Sequence, residues 1–155
     1  MSEDEPISDD DRTNEVGFFN TAETYWRSAQ ALYNAKVKAT HPLSPVLFLY
    51  YHAIELYFKA FLRGHGFTAA HLRSKKFGHR VCCLSERAAE LGLSYMDEDK
   101  QVFSMMITTD AIIRSRYILT GYHSWPSPEA LDRTCRGLRE SVCKALVQKG
   151  SPVRL

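Results

Sequence analysis

The sequence predicts an all-α fold, and three observations carry that expectation. Apolar residues recur at three- and four-residue spacing along most of the chain. No segment alternates cleanly with period two, and β-branched residues are sparse. Proline and glycine cluster between the periodic stretches, where they act as stops. Together these features predict a bundle of four longer helices plus a short accessory helix, in one domain over residues 13–150.

The first helix is expected from about Asn14 to Ala39. Phe18, Ala22, Tyr25, Ala29 and Leu32 form its apolar stripe, and Phe19, Trp26 and Tyr33 add a flanking row. "THP" ends it, because Pro42 cannot continue a helix. Ser44 as N-cap and Pro45 at the first helical position open the second helix, which runs to "GHG". The polar connector "TAAHLRSKKFGH" has room for one short helical turn. A third helix is expected from about His79 to Leu91, stopped by Gly92. A fourth covers about Asp97 to Tyr117, with Asp97, Glu98 and Asp99 suited to its positive N-terminal end. After the loop "TGYHSWPSP", Ser127 caps the last helix and Pro128 begins its first turn. Leu131, Cys135, Leu138, Val142 and Leu146 share one face, and Gly150 and Pro152 close it.

With 155 residues, the chain can bury a core without disulfide or metal staples. Its net charge of +2 does not by itself argue for nucleic acid, but the charge is unevenly placed. Seven of the eighteen acids fall in the first fifteen residues, and the remainder is basic. Residues 1–12 carry too little apolar surface to repay the entropy of ordering, and are expected to be a disordered acidic tail. The four cysteines show no metal-binding spacing. Adjacent Cys82 and Cys83 are expected on different sides of a helix, and all four are read as reduced core thiols of a cytoplasmic protein. The scattered histidines make no metal site, and no cofactor is expected. The acidic start lacks the basic and apolar regions of a signal peptide. The apolar run 46–62 is shorter than the ~20 residues a membrane span needs, and it carries three polar groups.

Those three groups, His52, Glu55 and Lys59, are the main functional clue. On a helix they fall within about 60° of arc. Glu55 before Lys59 is the favourable order for an i, i+4 ion pair. Buried unpaired, they would cost several kcal/mol. They are therefore expected to lie inward or in a cleft, either as an ion pair that fixes helix register or as part of a binding site.

Three segments carry a family resemblance: "FFNTAETYWRSAQALYN", "SPVLFLYYHAIELYFKAFLRGHGF" and "FGHRVCCLSERAAELGL". The chain resembles the HEPN family (higher eukaryotes and prokaryotes nucleotide-binding domain), in particular stand-alone bacterial HEPN-like proteins. The likeness covers roughly residues 16–148, and its most specific part is the H-A-I-E-L-x-x-K-A segment of the second helix. It implies a helical bundle of four or five helices, often a homodimer. It also implies RNA cleavage of toxin–antitoxin or phage-defence type, or binding of RNA or nucleotides without catalysis. Catalytic members carry an Arg and a His with four to six residues between them, a spacing met by Arg73 and His79 and, late in the bundle where the family places it, by Arg116 and His123 in "RYILTGYH". The imidazole would move the proton of a ribose 2′-hydroxyl, and the guanidinium would hold the phosphate, with no metal. The sequence departs from the family in placing Tyr117, not a small polar residue, after that Arg.

His52, Glu55, Lys59, His79 and Arg114 complete the candidate substrate-binding set. His79 matches the family's G-H and, at a helix start, has capping as its simpler role. Arg114 is placed for an i, i+4 ion pair with Asp110. Arg133, Arg136 and Arg139, with Lys75, Lys76 and Arg80, form either a phosphate-binding surface or a solvated face. Tyr50, Tyr51, Tyr57 and Phe58 could stack bases, but core packing is the stronger expectation. The alternative to an RNA-directed activity is a non-catalytic module that docks to a partner such as a nucleotidyltransferase.

Overall fold

The computed structural model describes residues 13–114 and 124–155, with Arg114 through its backbone alone. Among the described residues there are six helices and no strand: α1 Glu15–Ala35, α2 Leu43–Gly64, α3 Ala69–Leu72, α4 Val81–Glu90, α5 Asp97–Arg114 and α6 Pro128–Gln148. The all-α class is as expected, with α3 as the helical turn of the polar connector. The acidic tail lies outside the described residues. No described helix is long and apolar enough to cross a membrane.

Local chemistry sets most helix ends. Asn14 caps α1 by accepting the Gly17 N–H at 2.8 Å. Lys36 then takes a left-handed conformation (φ 48°), so α1 ends before the expected Ala39. Thr68 caps α3 and Ser127 caps α6 through their hydroxyls. The start of α2 differs from expectation. Pro42, not Ser44, is the cap residue, and Ser44 and Pro45 lie inside the first turn. The reason is that the first helical N–H groups have no intrahelical partner. Pro45 therefore sacrifices nothing there, while Pro42 already holds φ at −69°. Helix α4 begins at Val81 rather than His79, which frees the His79 side chain from the helix end.

Helix α2 is the hub, packing against all five other helices. Its pairing with α1 is antiparallel: Thr13 meets Arg63, Phe19 meets Tyr57, and Tyr25 meets His52. Its pairing with α6 is parallel, with Tyr50 against Asp132 and Gly64 against Leu146. Fourteen of the 22 residues of α2 are buried, including Tyr50, Tyr51, Tyr57 and Phe58. These aromatics are core, not a stacking platform for bases. Their hydroxyls find internal partners, as buried phenols must: Tyr50 reaches Asp132, Tyr51 meets Thr109 at 2.7 Å, and Tyr57 donates to Glu23 at 2.6 Å.

Candidate functional site

The polar stripe of α2 is buried as expected. The Glu55 side chain is 1% exposed and that of Lys59 is 8% exposed. The spacing of 55 and 59 brings Lys59 Nζ to 2.9 Å from Glu55 Oε1, along the helix face. The structure adds a third group from outside the helix. His79, on the segment leading into α4, places Nδ1 2.7 Å from the same Oε1. Its side chain is 59% exposed, so the imidazole joins a buried carboxylate to solvent. His79 therefore faces the stripe instead of capping α4.

His52 completes the arrangement. Its ring lies edge-on to Tyr25, with centroids 4.3 Å apart, and stacks on Phe48. Nδ1 is buried without a hydrogen-bond partner and stands 3.8 Å from Glu55 Oε2. That separation is too long for a hydrogen bond. Burial alone would push the Glu55 carboxyl up. The His52 ring, the Lys59 ammonium and the His79 ring outweigh it and bring the carboxyl down to about 2. At neutral pH Glu55 is an anion held by cationic and imidazole partners.

This arrangement has a definite chemical capacity. With Glu55 ionised, neutral His79 donates Nδ1–H to the carboxylate and presents Nε2 as an acceptor. A carboxylate that fixes the tautomer and orientation of an exposed imidazole is the pairing that equips histidine as a general base. Lys59 is spent inside the cluster: its buried ammonium balances Glu55 and does not reach a ligand at the surface.

Four expected site residues, His52, Glu55, Lys59 and His79, thus come together. Arg116 and His123 lie outside the described residues, as does the side chain of Arg114. The expected basic face of α6 does not form as a unit. Arg139 donates Nε to Glu23 Oε1 at 2.7 Å, and its guanidinium covers the Trp26 ring. Arg136 pairs with Asp132 at 3.1 Å. Lys75, Lys76 and Arg80 are exposed on the stretch that carries His79. Cys82 and Cys83 also differ from expectation: both are half-buried, and their Sγ atoms are 3.7 Å apart on one side of α4. Only Cys135 and Cys143 are core thiols. Among the described residues, no group of three or more His, Cys, Asp or Glu is arranged to hold a metal ion.

Sequence reasoning missed a second polar centre. Asp132 Oδ1 accepts from Trp26 Nε1 at 2.9 Å, Gln30 Nε2 at 2.8 Å and Tyr50 OH at 3.2 Å. It borders a cavity of about 410 Å³ that Gln30, Tyr33 and Glu129 also line. No spacing rule links positions 26, 50 and 132, so only the assembled bundle reveals this centre. No family model matches the chain, and no curated protein or solved structure matches it.

Proposed function

We propose that this all-α chain is a HEPN-like domain that binds or cleaves RNA or nucleotides through the surface around His79. The observation that carries the reading is that His79 Nδ1 and Lys59 Nζ converge on Oε1 of the buried Glu55, with the His79 ring open to solvent. In the cleavage reading, His79 Nε2 takes the proton of a ribose 2′-hydroxyl. The resulting oxygen attacks the adjacent phosphorus, and the bond to the 5′-oxygen breaks, leaving a cyclic phosphate. Glu55 positions His79, and Lys59 keeps Glu55 charged. Lys75, Lys76 and Arg80 draw in the phosphate backbone. Arg116 and His123 would supply the second half: the guanidinium steadies the phosphoryl charge, and the imidazole protonates the leaving oxygen.

The test is incubation of the purified chain with single-stranded RNA in EDTA, alongside His79→Ala, His123→Ala and Arg116→Ala. Metal-independent cleavage that falls about 10²–10⁴-fold in the histidine variants is the expected result. Cleavage indifferent to His79 overturns its role. If RNA is neither cut nor bound, the second reading takes over. That reading is a docking module for a partner such as a nucleotidyltransferase, and exposed Val37, Leu43 and Phe48 around the α1–α2 turn support it.

A homodimer belongs to the same proposal and is tested by sedimentation at micromolar concentration. The apolar circumference of α2 does not call for a second copy, because one copy buries most of it.

A further inference from the structure

We propose that Cys82 and Cys83 form a bidentate dithiol site for a trivalent organoarsenical, a soft thiophilic electrophile whose organic group occupies the cavity beside Cys83. Two observations support this independently of the RNA reading. The Sγ atoms stand 3.7 Å apart with both side chains half-buried. Cys83 also lines a cavity of about 460 Å³ whose wall includes Phe67, His71, Phe77 and Arg87.

The sulfur spacing discriminates among partners. Two thiolates bound at about 2.3 Å to one tetrahedral centre stand roughly 3.8 Å apart, and a pyramidal centre asks for a few tenths of an ångström less. The pair meets that demand with little movement. A disulfide fits worse. Adjacent Cα atoms are about 3.8 Å apart, below the roughly 4.4 Å minimum usual for a disulfide, so closing one would unwind the first turn of α4. A bare metal ion would need a third protein ligand, and no such group stands there among the described residues. An organoarsenical brings its third bond with it, to carbon.

The chemistry is a condensation. In an R–As=O compound two As–S bonds form and the As=O bond breaks. The two thiol protons leave with the oxygen as one water, and arsenic stays trivalent. A phenyl group on arsenic would lie among the rings of Phe67, His71 and Phe77. These already pack against one another, with centroids 5.0–5.8 Å apart. The first turn of α4 can shift slightly, because its N–H groups serve no bond within the helix.

The experiment titrates the native full chain with phenylarsine oxide, reading mass by native mass spectrometry and free thiols by a chromogenic disulfide. One equivalent should bind, with the loss of two thiols from the native count. The adduct should survive excess monothiol and be released by 2,3-dimercaptopropanol. Cys82→Ser and Cys83→Ser should each weaken binding about 100-fold, because either change removes the chelate, while Cys135→Ser and Cys143→Ser should leave it unchanged. A methyl arsenical should bind the wild-type chain about 10-fold more weakly than the phenyl compound. Undiminished binding in either single variant, release by monothiol, or dependence on Cys135 or Cys143 would overturn the dithiol site. Equal binding of methyl and phenyl compounds would overturn the role of the cavity.

Discussion

Two carboxylates on opposite faces of α2, Glu55 buried and Glu23 half-buried, are dressed in different ways. On one face Glu23 of α1 accepts Tyr57 OH at 2.6 Å and Arg139 Nε at 2.7 Å. Neither donor changes charge near neutral pH: the guanidinium is always cationic, and burial together with Glu23 raises the Tyr57 phenol far above its ordinary range. On the other face Glu55 accepts Lys59 and the exposed His79, with His52 close by. Burial of an acid is thus no sign of a site by itself. What separates the two is an imidazole partner that reaches solvent. The Glu23 centre joins α1, α2 and α6 and is complete. The Glu55 centre is open on one side.

The largest test of this contrast is Glu55→Ala. It strands the Lys59 ammonium in the core, and the expected loss is about 3–5 kcal/mol in urea unfolding at neutral pH. A loss below about 1 kcal/mol would mean that water already supports Lys59, and the cluster would then be a surface feature. Acid should produce the next largest effect. The Glu55 carboxyl is ordinarily near 4.5 and sits at about 2 when folded. Its stabilisation is complete above pH 4.5 and drains as the pH falls toward 2, because there the unfolded chain binds the extra proton. The span is about 3 kcal/mol. Glu55→Gln should flatten this limb. An unchanged slope would place the acid sensitivity elsewhere.

The sequence already held one half of the Glu55 centre and little of the other. Residues 52, 55 and 59 lie on one helix, so their shared arc follows from the 3.6-residue period and can be read without any fold. His79 is 24 positions beyond Glu55, and its approach depends on α4 starting at Val81, two residues later than the expected start at His79. The G-H of the HEPN resemblance was the one available signal, but it could not separate capping from contact. Arg139 shows the opposite error. Its spacing with Arg133 and Arg136 suggests a solvated basic face, yet the packing of α6 against α1 turns it onto Glu23 and Trp26. Periodicity locates stripes on single helices, and cross-helix partners appear only once the axes are placed.

Glu23→Ala should cost less than Glu55→Ala, about 2 kcal/mol by the same urea measurement. It leaves the Tyr57 hydroxyl buried without its acceptor, but the Arg139 side chain is 16% exposed and its guanidinium can turn to water. A cost equal to or above that of Glu55→Ala would erase the distinction between a stranded buried ammonium and a guanidinium with an escape route. Tyr57→Phe, which removes hydroxyl and demand together, should recover part of the loss in the Glu23→Ala background.

The smallest expected effect is the most informative about function. His79→Ala should change stability by about 1 kcal/mol or less, although the ring touches the buried carboxylate of the cluster. Lys59 stays paired with Glu55, and water can replace the imidazole at the open edge. In the intact chain, ¹⁵N spectra of neutral His79 should show the proton on Nδ1 and an acceptor Nε2, and Glu55→Gln should abolish that bias. Both results together describe a ring held for use at the surface rather than for packing. A loss above about 2 kcal/mol would make His79 a closing member of the core. The Glu55 centre would then match the Glu23 centre in kind, and the proposed general base would have to be sought at His123.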